Sequence, residues 1–146
     1  MNRDYVEMLN ELSAASAEFL VIGAHALAAH GYLRATKDLD IWVRPTPENA
    51  ARVWTALVKF GAPLIGVTQS DFARRGTIYQ MGVDPDRIDI ITEPAGAEFE
   101  DAWQRRVTAV VDGVPYPVIG RDDLIATKRA AGRREDLIDI ERLEDQ

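Results

Sequence analysis

Short apolar runs that alternate with amphipathic segments place the strongest constraint on the fold of this chain. Six runs have the length and the bounding residues of strands, and most of the other segments repeat apolar residues at helical spacing. The predicted strands span residues 19–22, 38–43, 77–83, 87–92, 107–111 and 114–119. The predicted helices span residues 3–17, 24–30, 47–61, 98–106, 122–131 and 133–143, and residues 62–75 are predicted to be a loop. Because helices interleave with strands and Asp112-Gly113 is a strong hairpin signal, we predict an α+β fold with a mixed sheet flanked by helices.

The length and composition are typical of one globular domain. The chain has 146 residues, of which 47% are hydrophobic and 28% charged, so we predict a single domain over residues 1–146. Its longest apolar stretches, such as Phe19–Ile22, are too short to cross a bilayer, and the acidic start at Asp4 and Glu7 predicts no signal peptide. Cysteine is absent, which excludes disulfides and thiolate metal sites and fits a cytoplasmic protein.

The net charge of -7 argues against a protein that coats nucleic acid, because such binding relies on cations that neutralise phosphates. RNA is therefore mildly disfavoured as a partner, although it stays open. One local basic cluster, Lys128-Arg129 followed by Arg133-Arg134, lies in the otherwise acidic chain.

Asp38 and Asp40 are candidate ligands of a metal ion. Residues two apart on a strand point to the same side, so the two carboxylates project together while the intervening residue points into the core. Their Cα atoms then lie roughly 6.5–7 Å apart. Carboxylates at this spacing can share Mg²⁺, which binds oxygen ligands together with substrate phosphates. Chance also produces such pairs, and Asp84 and Asp86 form another, which we assign to a turn.

Asp89 is a candidate third carboxylate of the same site. It lies in the apolar stretch Arg87–Ile91, where burial of an unpaired carboxylate is costly, so we expect it to face water, a cation or a metal ion. Beside the first strand, it would complete a cluster of three carboxylates that can hold two metal ions about 3.5–4 Å apart for phosphoryl chemistry. The alternative is a solvent-exposed aspartate on an edge strand.

Residues 19–26 predict a strand that turns into a helix with small residues at the bend. The backbone amides of Gly23, Ala24 and His25 at such a helix start can approach a phosphate group. We interpret the side chains of His25 and His30, the only histidines, as helix-surface groups rather than catalysts.

Two cations come directly before the acidic pair. Arg34 or Lys37 can balance the carboxylates or bind a triphosphate. A solvated loop cation is an equally good interpretation of either residue.

Together these residues resemble the polymerase β-type nucleotidyltransferase superfamily. Its signature is an apolar strand, Gly-Gly or Gly-Ser at a helix start and Asp-x-Asp on the next strand, matched here by Val21-Ile22-Gly23-Ala24 and Asp38-Leu39-Asp40. Ala24 departs from the pattern and removes a hydroxyl contact, while the backbone amides remain. The resemblance implies a polymerase β-like core in which the first two acids hold two Mg²⁺ ions and Asp89 helps to activate the attacking hydroxyl.

A closer resemblance is to small bacterial nucleotidyltransferases of abortive-infection and toxin–antitoxin systems. Their Arg-x-Thr-x-Asp-Leu-Asp motif is matched by residues 34–40, and their late helix with Lys, Arg and Asp is matched by residues 128–139. The resemblance implies that Lys128 contacts nucleotide phosphates, that Asp136 orients it or a neighbouring arginine, and that a small antitoxin or helical protein is a partner. The alternative is a surface helix with i,i+3 and i,i+4 ion pairs.

We therefore hypothesise an enzyme that uses Mg²⁺ to transfer a nucleoside monophosphate from an NTP, such as ATP, to a hydroxyl acceptor. Lys128 and Arg34 would stabilise the phosphate tail. RNA, protein and small-molecule hydroxyls stay open as acceptors. The alternative hypothesis is a catalytically silent nucleotidyltransferase fold that binds a nucleotide or a partner protein.

Overall fold

A six-stranded mixed β-sheet forms the centre of the computed structural model, which describes residues 1–32, 38–83 and 86–145. In chain order, the strands are β1 (Phe19–Ile22), β2 (Leu39–Val43), β3 (Ile78–Met81), β4 (Ile88–Ile91), β5 (Val107–Val111) and β6 (Val114–Val118). Across the sheet they follow the order β3-β4-β2-β1-β6-β5. The predicted α+β fold with a mixed sheet is confirmed.

Six α-helices and one short 3₁₀ helix accompany these strands within the described residues. The α-helices are α1 (Arg3–Ala14), α2 (Gly23–Ala29), α3 (Pro47–Phe60), α4 (Phe99–Gln104), α5 (Arg121–Ala131) and α6 (Arg134–Glu144), and the 3₁₀ helix spans Gln69–Ala73. None of the helices in the described ranges is long and apolar enough to cross a membrane.

The pairing of the inner strands brings three strand ends together. β1 and β2 are antiparallel, β2 and β4 are parallel, and β1 and β6 are parallel. The edge strands β3 and β5 pair antiparallel with β4 and β6. The C-terminal end of β1 therefore lies beside the N-terminal ends of β2 and β4. All four residues of β1 are buried and apolar, as expected for a strand in the middle of a covered sheet.

Local sequence sets the ends of helix α3 as predicted. The Thr46 side chain accepts a hydrogen bond from the backbone N–H of Asn49 at 3.3 Å, and Pro47 occupies the first turn. Gly61 ends the helix in the left-handed conformation, with a φ of 87°. The helix packs against α1 and buries Val53 and Leu57 in the core.

Two predictions of local structure are corrected. The first helix ends at Ala14 rather than at residue 17, because Ser16 has a positive φ of 58° that a helix does not accommodate. Residues 62–75 are not all loop, since Gln69–Ala73 form the 3₁₀ helix. Thr68 and Asp71 cap this helix reciprocally, and it fully buries Phe72.

One buried side chain ties helix α3 to the segments that flank the two central strands. Asn49 is 1% exposed and accepts a hydrogen bond from the Glu18 backbone N–H at 2.7 Å. Its amide nitrogen donates to the carbonyl oxygens of Glu18 at 2.9 Å and Arg44 at 3.0 Å. The side chain therefore satisfies three backbone groups where β1 begins and β2 ends.

We expect Asn49→Ala to lower the free energy of unfolding by about 2–3 kcal/mol, because buried backbone groups lose their hydrogen-bond partner. Denaturant unfolding followed by circular dichroism measures the change. Asn10→Ala on the exposed side of α1 is the matched control and should cost well under 1 kcal/mol. Equal losses in the two variants would contradict the role assigned to Asn49.

Candidate active site

The parallel pairing of β2 and β4 brings the predicted acidic residues together. Asp40 lies directly opposite Asp89 in the register of the two strands, and it also pairs with Ile22 at the end of β1. Asp38 comes immediately before β2, on the same side as Asp40. Leu39, between the two aspartates, is fully buried in the core. The three carboxylates therefore converge at the end of the sheet where helix α2 begins.

Asp89 is buried on an inner strand. β4 lies between β3 and β2, and Asp89 is 7% exposed. The alternative of a solvent-exposed aspartate on an edge strand is therefore wrong. The Asp89 carboxylate instead faces a cation, which is one of the three surroundings predicted from the sequence.

That cation is Arg87, whose guanidinium group lies between two of the carboxylates. Its Nη2 atom lies 2.9 Å from Oδ2 of Asp38, and its Nε atom lies 2.9 Å from Oδ1 of Asp89. A further hydrogen bond of 3.2 Å joins Nη2 to Oδ2 of Asp89. Such a paired, planar contact is the strong form of arginine–carboxylate recognition.

Asp40 holds its proton more tightly than an ordinary aspartate. Burial raises the pKa of its carboxyl to about 7, and the charge of Asp89, a hydrogen bond to Asp89 and the charge of Asp38 act in the same direction. Arg87 opposes this rise only in part. Near pH 7 the cluster therefore carries a carboxyl that readily gains or loses a proton.

The cluster fits Mg²⁺ by donor chemistry but not by its present arrangement. Its ligand atoms are all carboxylate oxygens, which hard divalent cations prefer. In the described part of the chain, however, no group of three or more His, Asp or Glu side chains lies where it could hold a metal ion. Arg87 occupies oxygen atoms of Asp38 and Asp89 that a shared ion would need.

Gly23 is required where helix α2 meets the cluster. Its φ is 71°, in the left-handed region that favours glycine, and a Cβ atom at this position would collide with Oδ2 of Asp40. Gly23 is also the first residue of α2, which has no side-chain cap at its N-terminus. The predicted amides of Gly23, Ala24 and His25 therefore begin directly beside Asp40.

Both histidine side chains are more enclosed than predicted. His25 is half-buried, and its Nε2 atom is buried without a hydrogen-bond partner among the described residues. Burial lowers the pKa of His25. The Nε2 atom of His30 lies 2.8 Å from the carbonyl oxygen of Ile119. The interpretation of both as helix-surface groups is thus corrected, because each ring packs against the body of the domain.

Helix α1 supplies a residue that the sequence did not point to. The hydroxyl of Tyr5 donates a hydrogen bond of 3.3 Å to the carbonyl oxygen of Arg87, and its ring meets the His25 ring edge-on at 5.4 Å. Burial raises the pKa of Tyr5 to about 12, and the charges of Asp38, Asp86 and Asp40 add to this effect. The hydroxyl therefore stays protonated beside the acidic cluster.

Lys128 lies in a buried ion cluster between helices α5 and α6. Its ammonium nitrogen is 3.0 Å from Oδ2 of Asp139 and 3.6 Å from Oδ1 of Asp136, and all three residues are buried. The alternative of a solvated surface helix does not describe these side chains. The predicted contact between Lys128 and nucleotide phosphates stays a prediction.

Arg133, which the sequence showed only as part of a basic cluster, pairs with Asp136. Its guanidinium group binds Asp136 through Nε at 2.6 Å and Nη2 at 3.1 Å. The hydrogen bond to Asp136 raises the pKa of Arg133 against the effect of burial, and the charges of Asp136, Glu135 and Asp40 add to the rise. Arg133 therefore lies within electrostatic range of the carboxylate cluster.

Arg34, the other predicted phosphate contact, lies outside the described residues.

A cleft of about 550 Å³ lies elsewhere, between the segment after β4 and helices α4 and α5. Its lining includes Arg75, Glu98, Arg105 and Asp123 but none of the three clustered aspartates. Its cations pair with its acids, Arg75 with Glu98 at 2.8 Å and Arg105 with Asp123 at 2.9 Å. The acidic cluster, rather than this cleft, is the candidate site for chemistry.

Comparison with known families decides the class of the protein. The sequence profile of the family described as nucleotidyltransferase of unknown function (DUF6036) matches residues 3–144. The chain belongs to this family. The predicted membership of the nucleotidyltransferase superfamily is thereby confirmed.

Solved structures share the fold of this DUF6036 protein. A candidate nucleotidyltransferase from Thermotoga maritima has a TM-score of 0.61 and 16% identity, covering 100% of this chain and 97% of that one. The lincosamide antibiotic adenylyltransferase LnuA, with lincomycin bound, has a TM-score of 0.64 and 12% identity, covering 99% and 96%. An antigenic nucleotidyltransferase-like protein from Paracoccidioides brasiliensis has a TM-score of 0.55 and 18% identity, covering 96% and 74%. No protein of curated function matches the sequence significantly.

The raised pKa of Asp40 makes the stability of this DUF6036 protein depend on pH. An acid with a higher pKa in the folded state binds its proton on folding, so stability falls as pH rises from about 4 to about 7. Asp40→Asn removes this loss and keeps a hydrogen-bond donor for Asp89. We expect the variant to be more stable than the parent at pH 8, on the order of 2 kcal/mol, and to lose this advantage near pH 4. Chemical unfolding across this pH range tests the prediction, which a pH-independent difference would contradict.

Lys128→Met should lower the free energy of unfolding by about 3 kcal/mol or more, because it removes an ammonium group from two buried carboxylates. The matched control is the neighbouring Arg129→Met. Arg129 is exposed and paired with exposed Glu144, so its loss should cost less than about 1 kcal/mol. Urea unfolding compares the two, and a small loss in Lys128→Met would argue against a structural role for the buried ion cluster.

Proposed function

We propose that this chain uses Mg²⁺ to transfer the nucleoside monophosphate of an NTP to a hydroxyl group. The observation that carries the proposal is the convergence of Asp38, Asp40 and Asp89 at one end of the sheet in a member of a nucleotidyltransferase family. Acidic side chains on adjacent strands are the usual protein ligands for ions that bridge substrate phosphates.

In the proposed reaction, the acceptor oxygen forms a bond to the α-phosphorus of the NTP, and the bond from that phosphorus to pyrophosphate breaks. Mg²⁺, held by carboxylate oxygens of the three aspartates, would supply positive charge that neutralises the phosphates as negative charge develops. A carboxylate oxygen of Asp89 accepts the proton of the acceptor hydroxyl as its oxygen attacks. Asp38 and Asp40 would act through the ion that they hold, which would place the phosphates next to Asp89.

The phosphate tail is proposed to lie along the start of helix α2. No side chain caps the backbone amides of Gly23, Ala24 and His25 at this helix start. Asp40, a proposed ligand of the metal ion, lies directly beside Gly23, so a phosphate bound to that ion would lie close to these amides. Lys128 is the phosphate contact that the sequence resemblance implies, and Arg34 is a further candidate from its position just before the acidic pair. Arg133 is a further candidate, since it lies within the electrostatic reach of Asp40.

The acceptor is proposed to be a small hydroxyl compound. LnuA, an adenylyltransferase for lincosamide antibiotics, covers 99% of this chain and is itself covered to 96%. A fold of this size therefore accommodates adenylyl transfer to a small molecule with little added chain, which supports an active enzyme rather than a silent fold. ATP is accordingly the first donor to test.

The resemblance of residues 128–139 also supports a cytoplasmic toxin–antitoxin role with a small helical partner. Copurification of the protein from the native cell tests this proposal.

We expect the double variant Asp38→Asn and Asp40→Asn to lose binding of Mg²⁺ with ATP by roughly a hundredfold or more, because two charged contacts to the ion disappear. Calorimetry with each NTP in MgCl₂ measures binding, and transfer of label from α-labelled ATP to a panel of small hydroxyl compounds, RNA and protein measures turnover. The double variant should keep the circular dichroism spectrum of the parent.

The matched control for that experiment is Asp101→Asn with Asp122→Asn, which removes the same charge from two exposed positions. It should bind Mg²⁺ with ATP as the parent does. Unchanged binding in the Asp38/Asp40 variant would refute the site. Tight binding by the parent without transfer to any acceptor would refute the enzyme and leave the silent binding fold.

A further inference from the structure

Arg87 and the proposed metal ion require the same oxygen atoms. The guanidinium group contacts Oδ2 of Asp38 and both carboxylate oxygens of Asp89, at distances of 2.9–3.2 Å. A divalent cation bound between these carboxylates would need at least some of those oxygens as ligands. It would also repel a guanidinium group a few ångströms away in a partly buried site.

The backbone of Arg87 is held by hydrogen bonds, whereas its side chain is partly exposed. The carbonyl oxygen of Arg87 accepts hydrogen bonds from the backbone N–H of Leu39 at 3.0 Å and from the hydroxyl of Tyr5 at 3.3 Å. The side chain is 30% exposed, in contrast to the nearly buried Asp89 that it holds. The guanidinium group is therefore the more accessible member of the pair, and the backbone hydrogen bonds of Arg87 do not depend on it.

The charge balance explains why a cation belongs there without metal. Asp38, Asp40 and Asp89 lie close together on two paired strands, and carboxylates in such proximity repel each other. Arg87, two residues before Asp89 on the same segment, supplies the compensating charge from within the chain. A metal ion that supplies more positive charge makes this compensation unnecessary.

We propose that Arg87 is the internal counter-ion of the site, which releases Asp38 and Asp89 when Mg²⁺ binds and so weakens binding of the free metal ion. The proposal rests on the proposed function, since it concerns the same carboxylates. It makes Arg87 a positioning residue that keeps the carboxylates together between turnovers. It also makes the metal ion enter most readily with the nucleotide, whose phosphates add ligands that Arg87 does not occupy.

The test compares Arg87→Gln with the parent and with Arg44→Gln. Arg44 is a matched control because it also bridges two carboxylates, those of Glu18 and Glu100, but follows the opposite end of β2. Binding of Mg²⁺ alone is measured by calorimetry and binding of Mn²⁺ alone by electron paramagnetic resonance. We expect Arg87→Gln to bind either ion about tenfold more tightly than the parent, and Arg44→Gln to bind as the parent does.

A second measurement uses the parent protein and avoids any loss of stability in the variant. Arginine is labelled with ¹⁵N, and the Nε–H resonance of Arg87 is assigned as the one that disappears in Arg87→Lys. On addition of MgCl₂ this resonance should shift and exchange faster with water, while the Nε–H resonance of Arg44 stays unchanged.

The outcomes separate the two proposals. If the parent binds Mg²⁺ with ATP but Arg87→Gln binds the free ions no more tightly than the parent, or the Arg87 resonance is unaffected by MgCl₂, the counter-ion role is wrong and the proposed function stands. If neither protein binds Mg²⁺ with or without ATP, both proposals are wrong.

Discussion

The cross-strand pair of Asp40 and Asp89 is the interaction on which the rest of the site depends. Parallel pairing fixes the two backbones at the distance of neighbouring strands, so the carboxylates cannot move far apart. The repulsion between the carboxylates is reduced in two ways. Burial and the acidic neighbours raise the pKa of Asp40 to about 7, and the guanidinium group of Arg87 pairs with both Asp38 and Asp89. Both are responses to one geometric constraint.

Other buried polar groups tie the helices to each other and to the central strands. Asn49 satisfies backbone groups at the opposite end of β1 and β2, where no chemistry is proposed. Asp136 is held ionised: burial opposes its charge, but hydrogen bonds and charge from Arg133 and the charge of Lys128 keep its pKa below the ordinary value. The buried ion cluster thereby fixes α5 against α6 and with them the position of Arg133.

The sequence predicted the strands well because their apolar runs are short and sharply bounded. Phe19–Ile22 was located by Gly23, and the Thr46 and Pro47 signals located the start of α3. The 3₁₀ helix at Gln69–Ala73 was missed because five residues are too few to reveal a period of three. A loop was the natural inference from such a short segment.

The sequence predicted the candidate site only in part, because it shows the spacing of residues along a strand but not how the helices pack. Asp38, Asp40 and Asp89 were found because the spacing of acids along a strand is written in the sequence. Tyr5 was not found, and Arg133 was noted only as part of a basic cluster, because their electrostatic coupling to the carboxylates depends on how helices pack against the sheet. The burial of Lys128 against Asp139 was not foreseen, because Asp139 lies on the following helix and their contact depends on tertiary structure.

The position of Arg87 also bears on how the chain folds. β2 and β4 are separated by residues 44–87, so their pairing closes a long loop and is entropically slow to form. If β4 carried Asp89 alone, that closure would also bring like charges together. Because Arg87 precedes Asp89 by two residues, the segment that pairs with β2 carries a compensating charge, and the pairing meets less electrostatic repulsion than it would without Arg87.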